Sequence, residues 1–356
     1  PASVPRHLDF SDISALDRAL LRSRRGSSPR WQAQLARVPG LEYVDSLDLS
    51  HRSLLRAEDV EALLAIKPLH EGRVRALRIN VEGAHIERLL ESPPFTKLTR
   101  LELIGGPRRA IAEIVASPIM SGVQALVVHP QVFMERGQLV EALATSEHLK
   151  GLRELDVRGV SLSAAELSRI LSNPALGKLR VLRLHENSLG DDLFEVLASG
   201  PALRELRVHD RAAPEARLPE WSARALETYL GSAAARDLVV LDFAGRTLRE
   251  DTLRAMLESD QLVGLEVLRL VRCGLTEKHV EMLASWEGLG DLVQLDLSRN
   301  ELGAAGLRAL AAAPFGPQLE RIRLEHAGLG KTEASVWEPL SRRVERAFVH
   351  ECLEIG

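Results

Sequence analysis

The sequence predicts an α/β solenoid of about eleven repeats, and three observations carry that prediction. The pattern L-x-x-L-x-L recurs as LRELDV (152–157), LRVLRL (179–184), LRELRV (203–208), LVVLDF (238–243), LEVLRL (265–270), LVQLDL (292–297) and LERIRL (319–324). Weaker copies precede these: VDSLDL (44–49), VRALRI (74–79), LTRLEL (98–103) and VQALVV (123–128). Their starts lie mostly 24 to 30 residues apart, and those at 238, 265, 292 and 319 step evenly by 27, the period of stacked repeats. Finally, 45% of the residues are hydrophobic but only 4% aromatic, a composition suited to many small aliphatic layers.

Each copy reads as a short strand followed by a helix. Alternate strand side chains point to opposite faces, so Leu182 and Leu184 turn inward while Val181, Arg183 and His185 turn outward. After the strand comes x-x-N-x-L, with Asn187 before Leu189 and Asn300 before Leu302. Such an asparagine can satisfy backbone groups where the chain leaves the sheet. Cys273 stands at the same place, and ladder packing rather than thiol reactivity is its expected role. Helical spacing follows in Leu193, Val196 and Leu197; Leu253, Met256 and Leu257; Val280 and Leu283; and Leu307 and Leu310. Ser163 with Glu166 fits a capping box ahead of Leu167, Ile170 and Leu171.

A stack of repeats leaves apolar ends that need covering. Residues 11–38, with Ile13, Leu16, Leu20 and Leu21, are expected to form one helical lid. Residues 333–352 are expected to form the other, with a helical stripe of Val336, Trp337, Leu340, Val344, Ala347 and Phe348. The chain therefore divides into an N-terminal helical cap or flank (1–40), a repeat domain (41–330) and a C-terminal helical cap (331–356).

The signature L-x-x-L-x-L-x-x-N-x-L, with helix motifs such as LGAAGLRALAAAP (302–314), resembles the ribonuclease-inhibitor-like class of leucine-rich repeats, which includes the Ran GTPase-activating proteins. The resemblance covers roughly residues 41–330. It implies a leucine-rich-repeat horseshoe, with a parallel β-sheet on the concave face, helices on the convex face, and partners bound on the concave face or its rims. Copies two to four depart from the pattern, having Glu82, Gly106 and Gln131 where asparagine would stand.

The register assigns the outward face. Its middle column runs Asp48, Arg78, Glu102, Val127, Asp156, Arg183, Arg207, Asp242, Arg269, Asp296 and Arg323. Charge is densest at copies five to seven, in Glu154, Asp156, Arg158, Arg183, His185, Glu186, Glu205, Arg207, His209 and Asp210. This reads either as a self-neutralising solvated mosaic or as a recognition surface. In the second reading Arg183 and Arg207 form a paired anchor for a partner carboxylate, kept apart by Glu154 and Glu205. The face carries no Trp or Tyr, although binding hot spots favour Trp, Tyr and Arg. A rival site lies in the seventh copy, which is 35 residues long and so about eight longer than usual. Its Trp221 is either a loop anchor for a partner or the first apolar residue of that copy's helix.

Chemistry beyond binding is sparse. His185 and His209, beside Glu186 and Asp210, resemble the start of a metal site, but the repeat places no third neutral ligand, so no metal and no cofactor are expected. Gly105-Gly106-Pro107 lacks the ending of a phosphate loop, and no G-x-S-x-G, H-E-x-x-H or paired-cysteine motif occurs. An enzyme is therefore not expected. A formal net charge of -4 gives no basic field for nucleic acid, although residues 1–40 hold seven Arg against three Asp. No apolar run is long enough for membrane insertion. Two cysteines are too few for a disulfide framework, so a reducing, cytoplasmic location is expected. Only six of 46 basic residues are Lys, which suggests a bacterial source. The expected function is a non-catalytic protein-interaction module or scaffold. The alternatives are a GTPase-activating protein acting on a small GTPase, which the resemblance implies, and a secreted bacterial effector binding a host protein.

Overall fold

Each of the eleven leucine copies becomes a parallel strand. A computed structural model describes residues 7–9, 45–49, 64, 74–81, 86–92, 95–105, 108–129, 136–187, 189–209, 221–315, 318–328 and 346–348. The chain forms two compact units, one of residues 1–160 with 169–178 and the other of residues 161–168 with 179–356.

In the first unit, β1 (His7–Asp9), β2 (Ser46–Leu49), β3 (Ala76–Asn80), β4 (Arg100–Ile104), β5 (Ala125–His129) and β6 (Glu154–Val157) pair in sequence order, all parallel. The second unit repeats the arrangement with β7 (Val181–Arg183), β8 (Glu205–Arg207), β9 (Val240–Asp242), β10 (Val267–Arg269), β11 (Gln294–Asp296), β12 (Arg321–Arg323) and β13 (Arg346–Phe348). Register aligns the leucines of neighbouring copies. One column runs Leu47, Leu77, Leu101, Leu126 and Leu155; the other runs Leu182, Leu206, Leu241, Leu268, Leu295 and Ile322. None of these side chains is more than 1% exposed. Burial of each contributes about 1.5–3 kcal/mol, and only stacking makes that burial available.

Strands β1 and β13 lie outside the eleven copies. β13 runs beside β12 in a stretch where a helical stripe is expected, so Ala347 and Phe348 belong to a strand. The rest of that expected lid, and the expected N-terminal lid over residues 11–38, lie outside the described residues, as do Glu82, Gly106 and Gln131.

Among the described residues, the helices are α1 (Ile86–Leu90), α2 (Arg108–Ala116), α3 (Arg136–Thr145), α4 (Ala164–Leu171), α5 (Asp192–Ala198), α6 (Ala223–Leu230), α7 (Glu250–Leu257), α8 (Glu277–Ala284) and α9 (Gly303–Ala312). Neighbours pack on each other, α2 on α3 in the first unit and α5 through α9 serially in the second. The expected capping box forms: Ser163 donates its N–H and hydroxyl to Glu166 Oε2, both at 2.8 Å, and Glu166 N–H returns to Ser163 Oγ at 3.3 Å.

A turn device recurs where the strands end. The residue before the ladder position has a left-handed backbone in seven copies: Gly105, Gly159, Glu186, Gly245, Arg272, Arg299 and His326, with φ between 53° and 81°. Outside glycine this conformation costs roughly 1–2 kcal/mol. It lets the next residue drop beneath the sheet, and Val160, Asn187, Arg246, Cys273, Asn300 and Ala327 are all buried. The strained residue's own N–H bonds the following copy: Glu186 to His209 O at 2.9 Å, Gly245 to Val271 O at 2.8 Å, Arg272 to Ser298 O at 2.9 Å and Arg299 to Glu325 O at 2.7 Å. Gly105 also faces Asn80 so closely that a Cβ there would lie 2.7 Å from its Oδ1.

Asn300 completes the ladder as expected. Its amide donates to the carbonyls of Leu270 (2.7 Å), Leu297 (2.8 Å) and Ser298 (3.3 Å), and its Oδ1 accepts the N–H groups of Cys273 (2.9 Å) and Leu275 (3.1 Å). Cys273 is fully buried, burial pushes its thiol pKa up, and its Sγ lies 3.4 Å from Phe243 O. Its ladder role therefore holds. Replacing Asn300 by Ala would leave five buried backbone partners unserved. The expected loss is about 2–4 kcal/mol, read from urea unfolding.

Helix α8 carries an unusual cap. Thr276 N–H donates to His279 Nδ1 at 3.1 Å, and Thr276 Oγ1 lies 2.8 Å from the same nitrogen. An N–H can only donate, so Nδ1 must accept, and the imidazole must be neutral. Burial lowers the His279 pKa; Glu250 on α7 opposes that shift and Lys278 reinforces it. Between the depressed folded value and 6.5, the unfolded chain binds the additional proton, so stability falls as pH drops through this window. His279→Gln retains an acceptor without titrating. The expected result is a flatter dependence of Tm on pH below about 6.5 than in the wild-type chain.

Candidate interaction surface

The outward side of the first unit's strands is closed by its own ion pairs. Arg78 lies between its in-register neighbours, 3.3 Å from Asp48 and 3.4 Å from Glu102. Arg100 reaches across β5, where its in-register neighbour is the small Ala125, to Glu154 on β6 at 3.0 Å. Arg158 grips Asp156 with two parallel bonds, Nε to Oδ1 at 3.0 Å and Nη2 to Oδ2 at 2.7 Å. Asp156 is only 1% exposed. The structure thus places Glu154, Asp156 and Arg158 on the expected face, each already engaged by the protein.

In the second unit, Arg183 and Arg207 are in-register neighbours, as the strand pattern predicts. They are not an open pair. Glu205 Oε1 accepts Arg183 Nε at 2.7 Å and Arg207 Nε at 2.8 Å, with Arg183 Nη2 at 2.6 Å. The expectation that Glu205 holds the arginines apart is corrected: Glu205 sits two residues before Arg207 on the same face and draws both guanidiniums together. His185 and His209 meet edge to face, with ring centroids 5.7 Å apart. Asp210 lies outside the described residues. Among the described residues no group of three His, Cys, Asp or Glu side chains could hold a metal ion.

Two aspartates of the outward column have a local task that sequence reasoning missed. Asp242 Oδ1 accepts the N–H of Ala244 at 3.1 Å, and Asp296 Oδ1 accepts that of Ser298 at 3.1 Å. Each closes an Asx turn at its own strand exit. The signal was available, since Asp stands two residues before the turn in both copies. Burial raises the Asp242 pKa, against the Ala244 N–H, Arg269, Arg207 and His209, which lower it.

Trp221 is not a partner anchor. It is 1% exposed, its indole N–H donates to Leu189 O at 3.2 Å, and its carbonyl accepts the Thr252 hydroxyl at 2.9 Å. Phe194 and Phe243 meet its ring edge to face at 4.9 and 4.8 Å, and Tyr229 stacks on Phe194. The Arg246 guanidinium, also buried, lies 4.8 Å from the Trp221 ring centroid. Packing at the head of the seventh copy's helix is the reading that holds, because a buried indole needs one carbonyl and a large apolar recess, and this layer supplies both. Arg246 was missed, although L-V-V-L-D-F-A-G-R-T-L (238–248) puts it at the ladder position.

Comparison with known proteins places this architecture. A ribonuclease inhibitor from Sus scrofa is 31% identical over 167 residues, covering 46% of this chain and 36% of the inhibitor. One from Mus musculus is 30% identical over 139 residues, covering 38% and 30% respectively. The chain is a leucine-rich-repeat protein whose repeats are similar to those of the ribonuclease inhibitors. The matches span about a third of the length of those curated relatives. This leucine-rich-repeat protein is also similar, at 37% identity over 85 residues, to the NACHT, LRR and PYD domains-containing protein 1b allele 5 of Mus musculus, covering 23% of this chain and 7% of that protein. A chain in the crystal structure of the Rad7 and Elc1 complex in yeast shares the fold, with a TM-score of 0.50 and 14% identity over 89% of this chain and 75% of that one. No family model matches.

The aromatic layer around Trp221 is expected to be a main stabiliser of the leucine-rich-repeat protein. Trp221→Ala should cost about 3–5 kcal/mol through the cavity it leaves, measured by urea unfolding. A loss below about 1 kcal/mol would be the cost of a surface change and would contradict the packing.

Proposed function

We propose that this chain is a non-catalytic protein-interaction module that docks its partner on the outward strand face of the second unit, with Arg183, His185, Glu205, Arg207 and His209 as the contact residues. The single observation that carries the reading is the convergence of two in-register arginines on Glu205 in a half-buried setting. Arginine is the hot-spot residue this face can offer in place of Trp or Tyr. Adjacent parallel strands lie about 4.8 Å apart, so the strand array presents its side chains as a fixed grid that needs little ordering on binding. The similar ribonuclease inhibitors are by name directed at a protein, which supports a protein partner here. Glu154, Asp156 and Arg158 would give the first unit recessed polar contacts, while Trp221 is removed from the binding set.

The test is affinity capture from a lysate of the source organism, comparing the wild-type chain with the Arg183→Glu, Arg207→Glu double variant. The expected result is a partner retained by the wild type and lost by the double variant, with affinity falling more than about tenfold and circular dichroism unchanged. Capture of the same partner by both would remove the docking site from this face.

A further inference from the structure

The short 3-10 turns that lead from the helices into β10 and β11 hold a second surface, away from the outward strand face. In four turns of this kind a small polar residue caps the start: Ser146, Asn173, Ser232 and Ser259 each accept the N–H two residues on, at 2.9–3.3 Å. One repeat after Ser259, Trp286 holds this place before the turn Glu287–Leu289, and it makes no such cap. Its half-buried indole folds back on its own turn, where a Cβ at Gly288 would lie 2.6 Å from Nε1 and 2.7 Å from Cε2. A cap given up for a large aromatic breaks the local rule of the repeat, and such breaks concentrate at functional positions.

The surroundings select the occupant. The turn Asp260–Leu262 packs beside Glu287–Leu289. Val263 at its end is 52% exposed, the one exposed large apolar side chain among the described residues. Gly264 and Gly290 leave open space where a side chain would stand. The stretches 255–268 and 280–293 hold Glu258, Asp260, Glu266, Glu281, Glu287 and Asp291, all exposed, and no Lys or Arg. None of these carboxylates makes an ion pair among the described residues. Arg254 on α7 and Arg236, which ends the equivalent turn one repeat earlier, stand at the margin.

We propose that these two turns form a docking site for an extended, arginine-bearing segment of a protein partner, with a guanidinium against the open side of the Trp286 indole. A cation over an indole face is attracted by the ring, and Asp260 and Glu287 on the two packed turns supply the counter-charge. Val263 and the bare glycines beside it take the aliphatic stem of the arginine. Arginine fits better than lysine because its planar head stacks on the ring while its edge bonds a carboxylate. The site does not depend on the strand-face docking proposed above.

The probe is a fluorescein-labelled peptide of alternating Arg and Ser, with Lys-for-Arg and Gln-for-Arg peptides for comparison, titrated with the full chain and followed by fluorescence anisotropy at constant ionic strength. The Arg peptide should bind saturably, the Lys peptide several-fold more weakly and the Gln peptide not at all. Trp286→Ser, which restores the cap of the other turns, should weaken binding about tenfold while the urea midpoint stays level or rises. Trp286→Phe, which keeps a smaller aromatic face, should weaken it by less. Glu287→Gln should weaken binding about threefold or more, whereas Glu325→Gln, an equal charge removed at a strand exit, should leave it within about twofold. Failure of the Arg peptide to bind, equal binding of the Arg and Lys peptides, indifference to Trp286→Ser, or equal effects of Glu287→Gln and Glu325→Gln would each overturn the proposal. A fall of the urea midpoint in Trp286→Ser would overturn it too, because the indole would then be a packing residue.

Discussion

At the described strand exits the chain dives beneath a buried leucine column, taking peptide groups with it. Those groups must find partners inside the protein, and this one requirement organises the rest. A left-handed residue turns the backbone, its N–H bonds the next copy, and the residue after it is buried at the ladder position. Asn300 serves five backbone groups from there. The cost of holding Glu186, Arg272 and Arg299 at positive φ is offset because each of these turns delivers a hydrogen bond that a more relaxed backbone would not aim at its neighbour. Copies thus stabilise one another, and none of them is a folding unit alone.

The outward face inherits that regularity. Strands in register bring side chains of different copies into fixed rows, so charges pair across strands, as Arg78 and Arg100 do, as well as along one strand, as Arg158 and Asp156 do. In the first unit the rows close on themselves through Arg78, Arg100 and Arg158. Two aspartates in the second unit are drawn into the exits, where they cap Ala244 and Ser298. Most of what looks like a free charged mosaic is therefore occupied. In the Arg183–Glu205–Arg207 cluster one carboxylate oxygen takes nitrogens from both guanidiniums.

The seventh copy departs from the aliphatic pattern and shows how the stack absorbs an irregularity. Its longer segment leads into Trp221, and the layer is filled by Phe194, Trp221, Tyr229 and Phe243 instead of leucines. Arg246, in the eighth copy, enters the ladder position where Val160, Asn187, Cys273, Asn300 and Ala327 stand in other copies, and lies over the indole ring. The Tyr229 hydroxyl is buried without a hydrogen-bond partner among the described residues, and that burial raises its pKa. Apolar contact and aromatic geometry fill this layer, and the Trp221 indole N–H is satisfied by Leu189 O.

The repeat period, the strand positions, the inward leucines, the Asn187 and Asn300 ladder residues and the Ser163 cap were all legible in the sequence. They depend on residue type at a fixed spacing, and backbone geometry converts spacing directly into facing. The in-register pairing of Arg183 with Arg207 was legible for the same reason. What lay beyond reach was the state of each polar group after folding. Arg100 and Glu154 are 54 residues apart and meet because Ala125 leaves room between them. Glu205 closes the arginine pair because its side chain bends toward both guanidiniums, and Trp221 turns inward because a recess and a carbonyl await it. Sequence by itself determined which residues share a face. Tertiary structure alone decided which of them remain available, because that choice rests on distances of a few ångströms between copies remote in the chain.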